Sequence, residues 1–421
     1  MSDNAPHHTY TTSLATELSH IARSFESKIR TVNLPIQRGS TVLFDSIAEA
    51  FAAGEASMRG ETNGSTYGTV GLSTTIALMD AVAAIEGRGH ATKAALMPSG
   101  LNAIATAMLA YLKAGDHVLV IDSVYGPTRM FCDGILARMN IATTYYSPSA
   151  SVEQIVALVR TNTRVLYMES PGSYTFEIQD VPAICKMIAN LNTQRQRDDH
   201  VITMIDNAWG SPMFANAFDW GVDVSILPLT KYWSGHSDVL MGAVVVRDHL
   251  WLKLWQVEKT MGVCVGGDDA YLILRGLRTV AVRMQQQQET TLAIARWLQS
   301  HPAVEGVLYP ALPNHPQHEL WKRDFTGASG LFAFELKAQL FENLKPDQRW
   351  AKMALLCDKR EHFGIGYSWG GYESLIMPAR IDSFRTQNKW QKGPLVRLQI
   401  GLENTQDLMN DLAIGLAKLL D

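Results

Sequence analysis

Lys231 stands in Thr230-Lys231-Tyr232, directly after the apolar run Val222-Asp223-Val224-Ser225-Ile226-Leu227-Pro228-Leu229, and Asp206 closes another such run at Met204-Ile205-Asp206-Asn207. If both runs are strands of one parallel sheet, an amine and a carboxylate meet at its carboxyl edge. An amine held there condenses with an aldehyde, and a carboxylate keeps a pyridine nitrogen protonated so that the ring takes up a carbanion's electrons. The pairing therefore points to pyridoxal phosphate as cofactor. Taken singly, Lys231 reads as a solvated surface lysine, and Asp206 reads equally as a helix N-cap. The polar, glycine-containing turn Tyr232-Trp233-Ser234-Gly235-His236-Ser237-Asp238 favours the site.

Other groups fit the same chemistry. Pro98-Ser99-Gly100-Leu101 lies between a strand-like run and a helical one, so it offers unpaired backbone N–H groups and a helix dipole to a phosphate. An ordinary helix cap is the alternative, and the Gly-x-Gly-x-x-Gly and Gly-Lys-Ser/Thr patterns are missing, which argues against nicotinamide or nucleoside-triphosphate chemistry. Tyr125, in Asp122-Ser123-Val124-Tyr125-Gly126-Pro127, can stack on a planar ring or pack within its loop. Arg397 sits inside the apolar run Leu395 to Ile400, where a buried guanidinium needs an anion: a substrate carboxylate or an internal salt bridge.

These residues need a sheet to position them. Strands are read at Ala94–Met97, His117–Ile121, Arg164–Met168, Val201–Ile205, Val224–Leu227 and Ala243–Val246, several followed by an amphipathic helix such as Leu101, Ile104, Ala105, Met108 and Leu112. Repeated βα units predict an α/β fold, a mostly parallel sheet flanked by helices. Its strand ends carry Ser99, Asp122, Glu169, Asp206 and, just beyond, Lys231. One long helical pattern from about Asp268 to His301, with Gln285 to Gln288 on a solvated face, leads into a smaller α+β domain. That domain has strands at Gly330–Leu336, Leu375–Met377 and Val396–Ile400 and a closing helix at Asp407–Leu420. The stretch to about Gly71 has little core of its own and reads as an arm, with a disordered tail to about Thr12. The organisation expected is an arm at 1–71, a cofactor-binding large domain at 72–276 and a small domain at 277–421.

A chain of 421 residues with a formal charge of −4 and interspersed charges has a large core and no footprint for nucleic acid or an anionic membrane. No apolar run approaches the roughly 18 residues of a spanning helix, and Met1 to His20 lacks a signal-peptide pattern. Cys132, Cys185, Cys264 and Cys357 are far apart, without metal spacing, and read as buried free thiols. A cytoplasmic enzyme with a small-molecule substrate and no metal is expected.

From about Val32 onward the chain resembles the cystathionine β-lyase branch of the Cys/Met-metabolism pyridoxal phosphate (PLP) enzymes. The matching pieces are Glu169-Ser170-Pro171-Gly172-Ser173, Met204 to Asn207, Thr230 to Tyr232 with Gly235 to Asp238, Tyr367-Ser368-Trp369-Gly370-Gly371-Tyr372-Glu373-Ser374-Leu375 and Arg397 to Glu403. The resemblance implies PLP fold type I, with a seven-stranded type of sheet. It implies that Lys231 carries the cofactor and moves protons, Asp206 pairs with the pyridine nitrogen, Tyr125 stacks on the ring, and Gly100, Leu101 and Thr230 hold the phosphate. Arg397, with Ser368, Trp369 and Tyr367, is implied to bind the substrate. Tyr67 is implied to act at the phosphate of a neighbouring subunit, in a homo-oligomer built as a dimer of dimers.

The implied activity is β-cleavage of cystathionine or another cysteine S-conjugate to a thiol, pyruvate and ammonia. A γ-acting relative, of methionine γ-lyase or cystathionine γ-synthase type, and a non-catalytic PLP-binding protein are the alternatives. Where this branch commonly has Arg-Arg after the arm's Tyr-Gly, the chain has Thr69-Val70. Pro228 replaces a frequent Ser, and Gly126, Arg129 and Met130 stand where cystathionine lyases can place acidic residues. The lost charges are expected to penalise cystathionine, whose distal end is a zwitterion, more than a conjugate with an apolar S-substituent.

Overall fold

The computed structural model describes residues 12–23, 31–62, 64–381, 385–387, 389–390 and 392–420. The expected tail lies outside them but for Thr12. The strands of the larger sheet are β1 (Thr92–Met97), β2 (His117–Ile121), β3 (Ala142–Tyr146), β4 (Thr163–Glu169), β5 (Ile202–Asp206), β6 (Val224–Leu227) and β7 (Gly242–Arg247). This is a seven-stranded sheet in the order β1-β7-β6-β5-β4-β2-β3. Only β7 runs antiparallel to its neighbours. Because helices cover both faces, the central strands are buried along nearly their whole length, and their sequences are near-continuous apolar runs. The parallel ladder brings strand ends into register: Glu169 lies opposite Asp206, and Asp206 opposite Ile226.

A second, five-stranded sheet has the order β10-β11-β12-β9-β8, formed by β8 (Val304–Leu308), β9 (Leu331–Leu336), β10 (Phe363–Gly364), β11 (Ser374–Ala379) and β12 (Leu395–Gln399). The single long helix expected from about Asp268 is two helices, Gly267–Leu277 and Val280–Gln299. The glutamine run is solvated only in part. Gln285 and Gln286 are exposed, but Gln287 is fully buried and donates to the Gly371 carbonyl at 2.8 Å. All four cysteines are free as expected, yet Cys264 is exposed rather than buried.

The arm is held by the helix Trp251–Thr260. Trp255 Nε1 donates to the Ser57 carbonyl, Trp251 Nε1 to that of Gly60, and Lys259 Nζ to those of Thr69 and Val70. The arm's own helix, Ile47–Met58, leaves Ile47, Phe51 and Met58 exposed. Among the described residues no helix is long and apolar enough to cross a membrane.

Candidate active site

The carboxyl ends of β1, β4, β5 and β6, the loop after β2 and residues of the second sheet enclose a cavity of about 500 Å³. It collects Gly100, Leu101, Tyr125, Asp206, Thr230, Lys231, Tyr367, Trp369 and Arg397, all expected from sequence. Ser368 joins them through its hydroxyl, which accepts a hydrogen bond from Lys231 Nζ at 2.9 Å. Tyr67 is absent from the wall. It forms a bridge with Thr41 and is half exposed.

Lys231 lies just past the end of β6 and is half-buried. Burial, and then repulsion by Arg397, push its pKa down to about 8, against a smaller opposing pull from Asp206. The neutral amine is the nucleophile, so this is the shift that an aldehyde-capturing lysine requires. Trp369 presents its ring to Nζ at 5.0 Å, and Gly370 closes over the lysine backbone. A Cβ on Gly370 would stand 3.0 Å from Lys231 Cα and Cβ, at a φ of +85° that L side chains rarely adopt.

Two carboxylates line the cavity with this amine. Asp206 is buried, which raises its pKa, and Oδ1 accepts the Ala208 N–H at 3.0 Å. Glu169, at the adjacent strand end, is raised by burial and by Asp206. Its Oε2 accepts the Tyr125 N–H at 2.7 Å and its Oε1 the Ser173 hydroxyl at 2.6 Å, so Glu169 fixes the loop that presents the Tyr125 ring. Sequence reasoning placed Glu169 at a strand end without giving it this role. It missed Glu86 entirely. This fully buried carboxylate accepts from Asn207, Ser211 and Ser225 at 2.6 to 2.7 Å, and Ser211 accepts from Trp233 Nε1 at 3.2 Å. Behind the site, the segments carrying Asp206 and Lys231 are thus tied to one anion. A lone Glu ending an apolar helix gives no sequence signal of such a role.

Arg397 on β12 is buried, and burial lowers its pKa. One terminal nitrogen donates to the carbonyls of Gly366, Tyr367 and Ser368 at 3.0 to 3.2 Å. No described carboxylate forms an ion pair with it, so the internal salt bridge weighed from sequence is not found. Arg129 is different. Its guanidinium turns inward to Asp122 at 2.6 Å and over the Tyr145 ring, leaving the cavity mouth without it.

The residues present fit PLP. The helix Gly100–Tyr111 points its free first N–H groups into the cavity, and a Cβ on Gly100 would come within 2.9 Å of Pro228 Cβ, so the cradle tolerates only glycine without movement. Thr230 lines it, but its hydroxyl and N–H both donate to the Met241 carbonyl, which leaves the helix terminus as the main phosphate donor. Asp206 supplies a buried acceptor for a protonated ring nitrogen.

Residues 15–417 match the model of the Cys/Met metabolism PLP-dependent enzyme family. The chain is 42% identical to a putative cystathionine beta-lyase of Rhizobium johnstonii, covering 96% of this chain and 95% of the relative. It is 39% identical to cystathionine beta-lyase MetC of Escherichia coli, covering 97% and 99%, and 37% identical to an L-alanine/L-glutamate racemase of Wolbachia pipientis, covering 94% and 95%. Among solved structures it resembles metB from Corynebacterium glutamicum at 28% identity and a TM-score of 0.82, covering 97% of this chain and 99% of that one.

The depressed Lys231 pKa predicts how the cofactor-free protein reacts with an aldehyde. The rate of imine formation at Lys231 should rise with pH to a midpoint near 8 rather than the ordinary 10.5, because only the neutral amine attacks. Arg397→Gln should move the midpoint up and Asp206→Asn move it down. Following the 400-nm region against pH in the three proteins checks this, and an unshifted midpoint near 10.5 would contradict it.

Proposed function

This chain belongs to the Cys/Met metabolism PLP-dependent enzymes, and on that premise we propose that it is a carbon–sulfur β-lyase acting on cystathionine or another cysteine S-conjugate. The observation that carries the proposal is that Lys231, Asp206 and Arg397 line one cavity, since they supply an amine, a ring-nitrogen acceptor and a carboxylate receptor. Relatives named cystathionine beta-lyase at 37–42% identity support β rather than γ cleavage.

Bound PLP supplies the electron sink that lets an amino acid lose its α-proton. In our reading the helix terminus at Gly100 and Leu101 holds the phosphate, Asp206 keeps the ring nitrogen protonated, and Tyr125 covers the ring. Arg397, with Tyr367, Ser368 and Trp369, receives the substrate α-carboxylate and fixes Cα in the cavity. Lys231, once its amine is released, removes the α-proton, and its pKa near 8 suits a base that must later return a proton. The Cβ–S bond breaks with its electron pair on sulfur, which leaves as a thiol. One water is consumed overall, yielding pyruvate and ammonium.

The same reading makes the protein a homo-oligomer in which the arm, 1–71, serves a neighbouring subunit, beside a cofactor-binding unit at 72–276 and a smaller one at 277–421. Tyr67 does not line its own chain's cavity, and the Ile47, Phe51 and Met58 face is apolar and uncovered, which supports that arrangement. The expected assembly is a dimer of dimers in the cytoplasm.

Lys231→Ala should abolish turnover and the visible absorbance of the resting enzyme, while the wild type releases pyruvate from cystathionine. 2-Oxobutyrate as the main keto acid would instead establish γ chemistry. The arm's role is tested by refolding Lys231→Ala and Tyr67→Ala together. Two inactive parents should give partly active hybrids, because one interface then carries both wild-type residues. Hybrids as inactive as the parents would contradict a shared site.

A further inference from the structure

Lys231 and Arg397 account for the amino and carboxyl groups that every α-amino acid brings, and the two cavity carboxylates are also committed. Glu169 is bound to Tyr125 and Ser173, and Asp206 serves the ring nitrogen. The other lining residues include Tyr125, Pro127, Tyr174, Leu240, Tyr367 and Trp369, and none of the described lining residues besides Lys231, Arg397, Glu169 and Asp206 is ionic. Leu240 is 71% exposed and Tyr367 78% exposed in the single chain, which puts a leucine and a phenol ring on the open side of the cavity.

We infer that this site, if it is the β-lyase proposed above, takes cysteine conjugates whose sulfur substituent is uncharged and apolar in preference to cystathionine. The distal end of cystathionine carries an ammonium and a carboxylate. Drawing them against this wall strips their water and returns no partner of either sign. An alkyl or aralkyl group loses nothing polar and covers Leu240 and the aromatic rings.

Two further segments bring no charge to the cavity lining. Arg129, three residues into the helix Gly126–Phe131, is consumed by Asp122 and Tyr145 on the inner side. Its neighbour Met130 is apolar and 68% exposed. The arm segment that serves the neighbouring site in our reading offers Tyr67, Thr69 and Val70. The carbonyls of Thr69 and Val70 are tied by Lys259, which spends that cation inside its own chain.

The test compares kcat/KM of the holoenzyme for S-benzylcysteine and cystathionine by pyruvate release, two conjugates that both expel an alkyl thiolate. S-Benzylcysteine should be favoured by about tenfold or more. Leu240→Arg, which adds a cation at the mouth, should shift the ratio about tenfold toward cystathionine, mainly through KM. A wild-type preference for cystathionine overturns the inference and leaves the lyase reading standing. A ratio that Leu240→Arg does not move overturns the assignment of Leu240's wall to the substituent. No pyruvate from either conjugate overturns the lyase reading and this inference with it.

Discussion

The structure depends on keeping opposite charges dry and close at the ends of adjacent parallel strands. A parallel ladder aligns the strand termini, so Glu169, Asp206 and the segment leading to Lys231 emerge at one edge by register alone. Helices on both faces and the second sheet then exclude water from that edge. Desolvation favours the neutral form of each group, which lowers Lys231 and raises Asp206 and Glu169. The same burial yields a reactive amine and a carboxylate in need of a cationic partner. Arg397 adds to the repulsion of the lysine and stands ready for an anion. The electrostatics of the site follow from where the strands end.

Holding that arrangement takes residues well outside the cavity. Glu86 gathers Asn207, Ser211 and Ser225, and through Ser211 reaches Trp233, two residues past the lysine. Gln287 fixes Gly371 beside the glycine that closes over Lys231. Arg283 donates to the Tyr232 carbonyl and to that of Gly276, joining the lysine loop to the preceding helix. Buried polar links of this kind are costly unless satisfied, and here they fix the relative placement of the amine and the carboxylate.

Much of this was legible in the sequence because buried parallel strands are written as uninterrupted apolar runs. β2 and β6 were read to the residue, and β1, β4, β5 and β7 differ by one or two residues at their ends. The strand β3 was missed, because this edge strand, half open to solvent, reads Ala-Thr-Thr-Tyr-Tyr and has no such run. β8 was missed because Glu305 and Gly306 interrupt it at an irregular register. The helical period runs unbroken through Arg278 and Thr279, so the turn there left no mark. At the site, Lys231, Asp206 and Arg397 were visible as charges in apolar surroundings. Glu86 and Glu169 act through partners distant in sequence, and the inward turn of Arg129 depends on Asp122 and Tyr145. Only the folded chain shows these links.

The account rests on Lys231 being the residue that binds the cofactor. Reducing the PLP-loaded enzyme with borohydride fixes the link covalently, and digestion with mass spectrometry then locates the pyridoxyl group. The label should appear on the peptide containing Thr230-Lys231-Tyr232 and nowhere else in stoichiometric amount. A stoichiometric label on any other lysine, with Lys231 unmodified, would contradict it.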